Sequence, residues 1–134
     1  MSIKQEMLEK KTWAVVGVTA KKDKWGYKIF NILNSIHSNQ SIEFETYGIS
    51  PNYDEIEGNK IYHSLSELPV KIDVIDMVVS PKISLTTLEE AKELGIEYIF
   101  FQPGTYNDEV IEKAKELGFK YLIKDCIYAT LRNM

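Results

Sequence analysis

The chain has 134 residues, of which 44% are hydrophobic and 27% charged, and its formal net charge is −4. This length suits a single domain over residues 1–134, and the acidic balance argues against a nucleic-acid binder. No apolar run approaches the ~20 residues that a membrane-spanning helix needs. The first residues lack the apolar core of a signal peptide, and the one cysteine, Cys126, cannot form an internal disulfide, so we expect a cytoplasmic protein.

Hydrophobic periodicity predicts alternating helices and strands in the first half of the chain. Ile3, Met7 and Leu8 share one face of an N-terminal helix within residues 1–11, whereas two apolar runs are too short for helices and are typical of strands in a parallel sheet. The predicted elements are, in chain order, helix 2–11, strand 12–18, helix 26–37, strand 44–49, a loop over 50–62 with a short extended piece near Ile61, and a helical turn over 64–68.

The second half continues the alternation and contains an internal echo. The segment AKELGIEYIF (91–100) recurs as AKELGFKYLI (114–123), and each copy ends a helix at Leu-Gly before entering a strand. Gly95 and Gly118 suit the position just after a helix, because glycine tolerates the left-handed conformation there. Thr86 and Glu89 have capping-box spacing. The predicted elements are strand 72–79, helix 84–94, strand 97–101, helix 107–117 and strand 119–123.

This order of elements predicts a doubly wound α/β fold. We expect a mainly parallel sheet of five strands with helices on both faces and with strand 12–18 at its centre. Ligands of such sheets bind beyond the carboxyl ends of the strands. The residues that follow each strand are therefore the candidates for a site.

The turn after the first strand has the composition of a phosphate site. Gly17 would permit close approach of a ligand, Thr19 would supply a hydroxyl, and Lys21, Lys22 and Lys24 would supply positive charge. The start of the following helix adds unpaired amides and the positive end of its dipole. A solvated charged loop is the alternative interpretation of the same residues.

The turn after the second strand argues against an ordinary NAD site. Such sites usually place an acidic residue there to hold the ribose hydroxyls, whereas this chain has Ser50, Pro51 and Asn52, and its first acid is Asp54. This turn leaves room for a ligand with a phosphate on its ribose.

At this point the sequence resembles the single-domain coenzyme A-binding proteins. These are Rossmann-like proteins related to the coenzyme A-binding domain of the succinyl-CoA synthetase alpha subunit. The resemblance extends from about Thr12 to Ile127 and is carried by AVVGVTAKKDKWGYKI, GISPNYDEIEGNKIYHSLSELP, IDVIDMVVSP, IFFQPGTYNDEVIEKAKELGF and IKDCI. The family commonly shows Val-Asn-Pro after the second strand, where this chain has Ser50-Pro51-Asn52.

The resemblance implies that the chain binds coenzyme A or an acyl-CoA. It assigns the site in four groups: Gly17, Val18 and Thr19 at the diphosphate with Lys21 and Lys24 nearby; Ser50 and Pro51 at the adenosine ribose; Val79, Ser80 and Lys82 on the adenine side; and Gln102 and Pro103 beside the pantetheine path. An NAD(P)-binding or other nucleotide-binding regulatory or oxidoreductase-type domain is the alternative. A protein partner stays open.

The remaining reactive side chains do not combine into a catalytic set. No predicted strand ends at His37 or His63, and we find no nucleophile–base pair and no metal cluster in the sequence. We therefore expect binding without turnover by the isolated chain. Cys126 is read as a packed side chain, with a redox thiol or a mixed disulfide with coenzyme A as the alternative. Edge exposure or local hydrogen bonds would explain Asp73 and Asp76.

Overall fold

The computed structural model describes residues 2–35 and 44–132. Its elements are α1 (Ile3–Leu8), β1 (Thr12–Val16), α2 (Trp25–Ser35), β2 (Glu45–Ile49), β3 (Glu55–Ile56), β4 (Asn59–Tyr62), a 3-10 turn (Leu65–Glu67), β5 (Val74–Met77), α3 (Pro81–Glu93), β6 (Tyr98–Phe101), α4 (Asp108–Glu116), β7 (Lys120–Leu122) and α5 (Ile127–Arg132). None of the helices in these ranges is both long enough and apolar enough to cross a membrane.

The strands of the described ranges form one sheet in the order β3-β4-β2-β1-β5-β6-β7. All neighbouring strands pair in parallel except β3 and β4, which form an antiparallel hairpin. The doubly wound α/β prediction is confirmed, with β1 at the centre. All five predicted strands are present. Strand β4 corresponds to the short extended piece predicted near Ile61, and β3 is a further short strand inside the predicted loop 50–62.

Apolar cores lie on both faces of the sheet, which explains why the central strands read as continuous apolar runs. Trp13 and Val15 of β1 face α2 and α5, whereas Ala14 and Val16 face the opposite side, where α3 and α4 pack. Trp13 is fully buried and makes an edge-on contact with Phe44, with ring centroids 5.5 Å apart. Burial on both faces holds β1 in place beneath the turn that follows it.

The two AKELG segments end their helices in the same way, as predicted. The backbone N–H groups of Gly95 and Ile96 donate to the carbonyls of Lys92 and Ala91, both at 3.1 Å. Gly118 and the next residue repeat this pair of bonds at the end of α4, and both glycines have positive φ, 75° and 80°. These are Schellman caps, which explains why the motif recurs at both helix–strand junctions.

Several boundaries differ from the sequence prediction. Helix α3 begins at Pro81 rather than residue 84, since proline suits the first helical position, so Thr86 lies inside the helix and forms no capping box with Glu89. Helix α5 was not predicted, because its single turn and a half shows too little periodicity. Helix α1 is shorter than residues 2–11. Residues 36 and 37 of the predicted helix 26–37 lie outside the described residues.

Candidate functional site

The order in which strands are added to the sheet changes direction between β1 and β5. The chain leaves β1 through α2 to β2 on one side, and later crosses to β5 on the other side, so the carboxyl ends of β1 and β5 form a topological switch point. Ligands of open parallel sheets bind in the crevice at such a point. The predicted turn after strand 12–18 lies directly at this crevice.

Gly17 follows β1 and is required by its neighbours in the fold. Its φ is +108°, and a Cβ atom there would lie 2.3 Å from the carbonyl oxygen of Val78. Its backbone N–H donates to the carbonyl of Ile49 at 2.9 Å, which ties the turn to the end of β2. The sequence argument gave Gly17 a role in ligand approach; the structure shows that the adjacent strand end already excludes any side chain at this position.

Gly26 brings the start of α2 onto the same turn. A Cβ atom on Gly26 would lie 2.1 Å from the carbonyl oxygen of Gly17, so only glycine allows this approach of helix and turn. The positive end of the α2 dipole therefore lies against the loop that carries Lys21 and Lys24. A helix start in this position is suited to an anion.

The hydroxyl of Thr19 joins the first loop to the second. Its Oγ1 lies 3.0 Å from the Tyr53 hydroxyl and accepts a hydrogen bond from the Lys21 backbone N–H at 3.2 Å. The hydrogen bond with Thr19, followed by one with the Ala20 backbone, lowers the pKa of the Tyr53 phenol. Thr19 thus orders the Lys21 segment, a role that the sequence did not indicate.

Two clefts meet at this turn. The β6-side cleft is lined by Gln102 and Pro103 after β6 and has a volume of about 660 Å³. The β2-side cleft is lined by Ser50 and Pro51 after β2 and has a volume of about 730 Å³. Both volumes fall within the range of small-molecule sites. The two clefts share five lining residues: Gly17, Thr19, Val78, Val79 and Ser80. A ligand that spans both clefts would therefore cross the turn after β1.

The β6-side cleft is mainly apolar. Its walls include Ile29 of α2, Pro103 after β6, and Cys126 and Ala129 at α5. Trp25, which is 53% exposed, stands at its rim.

The Trp25 ring has two neighbours. It packs edge-on against Tyr128, with ring centroids 5.5 Å apart, and the Lys28 ammonium lies 4.8 Å from its centroid. These contacts hold the ring beside the apolar cleft.

The β2-side cleft is more polar. Ser50, Pro51 and Asn52 form one wall, and His63 lies opposite them. The Ser50 hydroxyl accepts a hydrogen bond from the Asn52 backbone N–H at 3.2 Å, which holds this turn closed.

His63 directly follows β4, so the expectation that no strand ends at a histidine is wrong for this residue. The short extended piece predicted near Ile61 is this strand, but its end was not placed at His63. The Nε2 atom of His63 lies 2.7 Å from Oδ1 of Asp54. His37 lies outside the described residues.

Asp76 lies deep in the sheet below the β6-side cleft. It is fully buried on β5, so edge exposure does not explain it. Burial raises its pKa to about 8, against the lowering effect of a hydrogen bond from Gln102. Asp73, at the other end of the strand, accepts a hydrogen bond from the Thr12 hydroxyl at 2.6 Å. Local hydrogen bonds therefore explain Asp73 fully and Asp76 in part.

The amide of Gln102 is already occupied by the protein. Its Nε2 donates to Oδ1 of Asp76 at 2.5 Å, and its Oε1 accepts from the Ile127 backbone N–H at 3.3 Å. Gln102 is 2% exposed. Its side chain therefore links β5 to α5 beneath the cleft.

The structure gathers eleven of the twelve candidate residues around the two clefts. Lys82 lies outside both, as an exposed residue in the first turn of α3. Val18 lines the β2-side cleft but is 2% exposed, so it is mainly a core residue. The sequence missed Tyr53 and His63, and recognition of the hairpin would have placed both at strand or loop ends.

A family model described as a CoA binding domain matches residues 11–132. The chain belongs to this family of CoA-binding domains. The match includes the central strand, the turn after it and both clefts. The resemblance inferred from the sequence is thereby confirmed.

Similar proteins agree with this assignment. A conserved hypothetical protein from Pyrococcus furiosus superposes with a TM-score of 0.81 at 37% identity, covering 90% of this chain and 99% of that one. A hypothetical protein from Pyrococcus horikoshii OT3 superposes with a TM-score of 0.82 at 28% identity, covering 98% and 88%. The alpha subunit of the ADP-forming acetate–CoA ligase II of Pyrococcus furiosus is 30% identical over 84 residues, which are 63% of this chain and 17% of that subunit. The chain thus spans about a sixth of that subunit.

Proposed function

We propose that this protein binds coenzyme A, or an acyl-CoA, across the two clefts. The observation that carries the proposal is that a mainly apolar cleft and a more polar one meet at one glycine turn beside a helix start. Coenzyme A has a matching layout, with a nucleotide at one end, a thiol arm at the other and a diphosphate between them. Membership of the CoA-binding domain family supports the same ligand.

The diphosphate belongs at the turn Gly17–Thr19 in this proposal. Two helices begin beside it, α2 at Trp25 and α3 at Pro81. The hydroxyl of Ser80 makes no hydrogen bond to the start of α3, although Ser80 is the N-cap residue. This exposed hydroxyl and the two helix dipoles therefore favour an anion at the junction of the clefts.

The adenosine end belongs in the β2-side cleft, beside Ser50 and Pro51. The acids around this cleft are already engaged by the protein. Asp54 bonds His63, and Glu90 accepts hydrogen bonds from the Ser66 hydroxyl at 2.6 Å and from the 3-10 turn. Their negative charges are partly compensated, and Lys21 adds a positive charge to the wall. This balance is compatible with a phosphorylated ribose.

The thiol arm belongs in the β6-side cleft, between Ile29, Pro103 and Cys126. Because the protein already uses both ends of the Gln102 amide, we assign Gln102 to the floor of this cleft rather than to direct recognition of the arm. The proposed activity is binding. His63 and Cys126 line different clefts, which supports a site without a nucleophile–base pair of these two residues.

Calorimetric titration of coenzyme A with a pair of lysine variants tests this proposal. The double variant Lys21→Ala/Lys24→Ala removes the charges beside the turn and is expected to weaken binding roughly tenfold or more, since a charged hydrogen bond contributes about 1.5–3 kcal/mol. The effect should shrink as salt rises, because exposed charges are screened. Acetyl-CoA, NAD, NADP and ATP complete the ligand panel.

The matched control is Lys71→Ala/Lys92→Ala. These exposed lysines lie before β5 and in the last turn of α3, near the amino ends of the strands and away from the clefts. Their removal changes the net charge by the same amount. The control should bind as the unaltered protein does. An equal loss of affinity in both double variants would mean that only the net charge of the protein matters, and would contradict a diphosphate site beside Lys21 and Lys24. Tighter binding of NAD or ATP than of coenzyme A would overturn the proposal.

A further inference from the structure

Asp76 is a buried carboxyl group in the middle of the sheet. It lies in register with Val15 of β1 and Phe100 of β6, both apolar, and its side chain is fully buried. A charged carboxylate in such a place is expensive unless it is paired. The partners of Asp76 therefore decide its state.

Within the described ranges, the Asp76 side chain has one polar partner, Gln102. The Ile127 backbone N–H can only donate, so the oxygen of the Gln102 amide must face Ile127 and its nitrogen must face Asp76. Oδ1 of Asp76 accepts this bond, and Oδ2 has no hydrogen-bond partner in the described residues. One oxygen of the carboxyl group is thus left buried and unpartnered.

No cation compensates the group within the described part of the chain. Helices α1, α2 and α5 cover this face of the sheet. Their charged and titratable side chains are Lys4 and Glu6 of α1, Tyr27 and Lys28 of α2, and Tyr128 and Arg132 of α5, with Lys24 and Cys126 directly before the last two helices. None of these side chains forms a hydrogen bond or an ion pair with Asp76. Burial outweighs the Gln102 bond and raises the pKa of Asp76 to about 8.

Asp76 lies close to the turn Gly17–Thr19, where we place the diphosphate, so its charge would affect binding. Its register partner Val15 precedes Gly17 by two residues, which is about 7 Å of strand. A negative charge on Asp76 would therefore face the negative diphosphate through a poorly screened interior. A neutral Asp76 avoids this repulsion.

We propose that Asp76 is protonated in the complex with coenzyme A, and that binding at alkaline pH is coupled to uptake of a proton by this group. The proposal rests on the proposed function. The proton comes from the buffer and converts the carboxylate to the neutral acid. Coupling is reciprocal, so an anion that favours the protonated form binds more weakly as Asp76 ionises. The affinity should fall by at most tenfold per pH unit in this range.

Calorimetric titration with coenzyme A at pH 6.5, 8 and 9, in two buffers of different ionisation enthalpy, measures the coupling directly. The unaltered protein should take up protons at pH 8 and 9, and the isosteric Asp76→Asn variant should lack that uptake and lose less affinity with pH. Groups on coenzyme A itself titrate in every sample, so the difference between proteins reports Asp76. Asp73→Asn, on the same stretch of chain but bonded to Thr12, is the matched control and should behave as the unaltered protein.

Each outcome has a distinct meaning. Equal proton uptake and equal pH dependence in the unaltered protein and Asp76→Asn would refute the coupling while leaving coenzyme A binding intact. Failure of every protein to bind at any pH would refute the proposed function itself. If Asp76→Asn does not fold, infrared spectra of the unaltered protein at pH 9 replace it. The protonated carboxyl band should increase on addition of coenzyme A, and its absence would refute the proposal.

Discussion

Replacement of Asp76 by asparagine should change how the stability of the protein depends on pH. The pKa of Asp76 rises from 3.8 to about 8 on folding. Between these values the folded state binds more protons than the unfolded state, so the free energy of unfolding falls as pH rises. This loss is absent at pH below the unfolded pKa and is complete above the folded pKa.

The magnitude follows from the size of the shift. Each pKa unit corresponds to about 1.4 kcal/mol, so about four units give a total of about 5 to 6 kcal/mol from the buried group. Between pH 6 and pH 8, above the pI of about 5.2, the unaltered protein should lose about 2 to 3 kcal/mol relative to Asp76→Asn. Urea unfolding of both proteins at several pH values measures this difference.

The slope carries the test rather than the absolute stability. Asparagine also changes the hydrogen bond with Gln102, which shifts the curve by an amount that does not depend on the ionisation of residue 76. Asp73→Asn leaves Asp76 in place and should keep the slope of the unaltered protein. A constant difference between the unaltered protein and Asp76→Asn from pH 6 to pH 9 would refute the reasoning about burial.

Two further predictions concern backbone positions. Gly17→Ala should lower the free energy of unfolding by more than the ~1–3 kcal/mol of backbone strain, because its Cβ would also clash with the carbonyl of Val78. Gly58→Ala is the control, since Gly58 has a positive φ but no atom within 4 Å of the added Cβ, and it should cost about 1 kcal/mol. Similar losses for the two variants in urea unfolding would contradict the clash at Gly17. Asn107→Ala should lower the free energy of unfolding by about 1 kcal/mol, because the Asn107 side chain accepts a hydrogen bond from the first turn of α4. Ser80→Ala should leave thermal unfolding nearly unchanged, because the Ser80 side chain makes no such bond to α3. A larger loss for Ser80→Ala than for Asn107→Ala would contradict the assignment of these caps.

The central architecture could be derived from the sequence because its signals are local. Apolar runs of strand length, helical periodicity and the repeated Leu-Gly junctions are set by neighbouring residues, and they predicted the five main strands and the central place of β1. The strand-end rule then directed attention to the turn after β1, and eleven of the candidate residues line the clefts there. The ordered motifs indicated the family that the CoA-binding domain match confirms.

The tertiary structure alone decided the partners of these residues. The hairpin strands lie in a segment whose Pro51, Asn52 and Gly58 predict a loop, so the place of His63 at the end of β4 depended on pairing with β2. In sequence, Gln102 reads as a free polar group at a strand end, yet its amide joins Asp76 to α5. Burial and hydrogen bonding are properties of elements that meet across the fold, 26 and 25 residues apart in these two bonds, and a local pattern does not contain them.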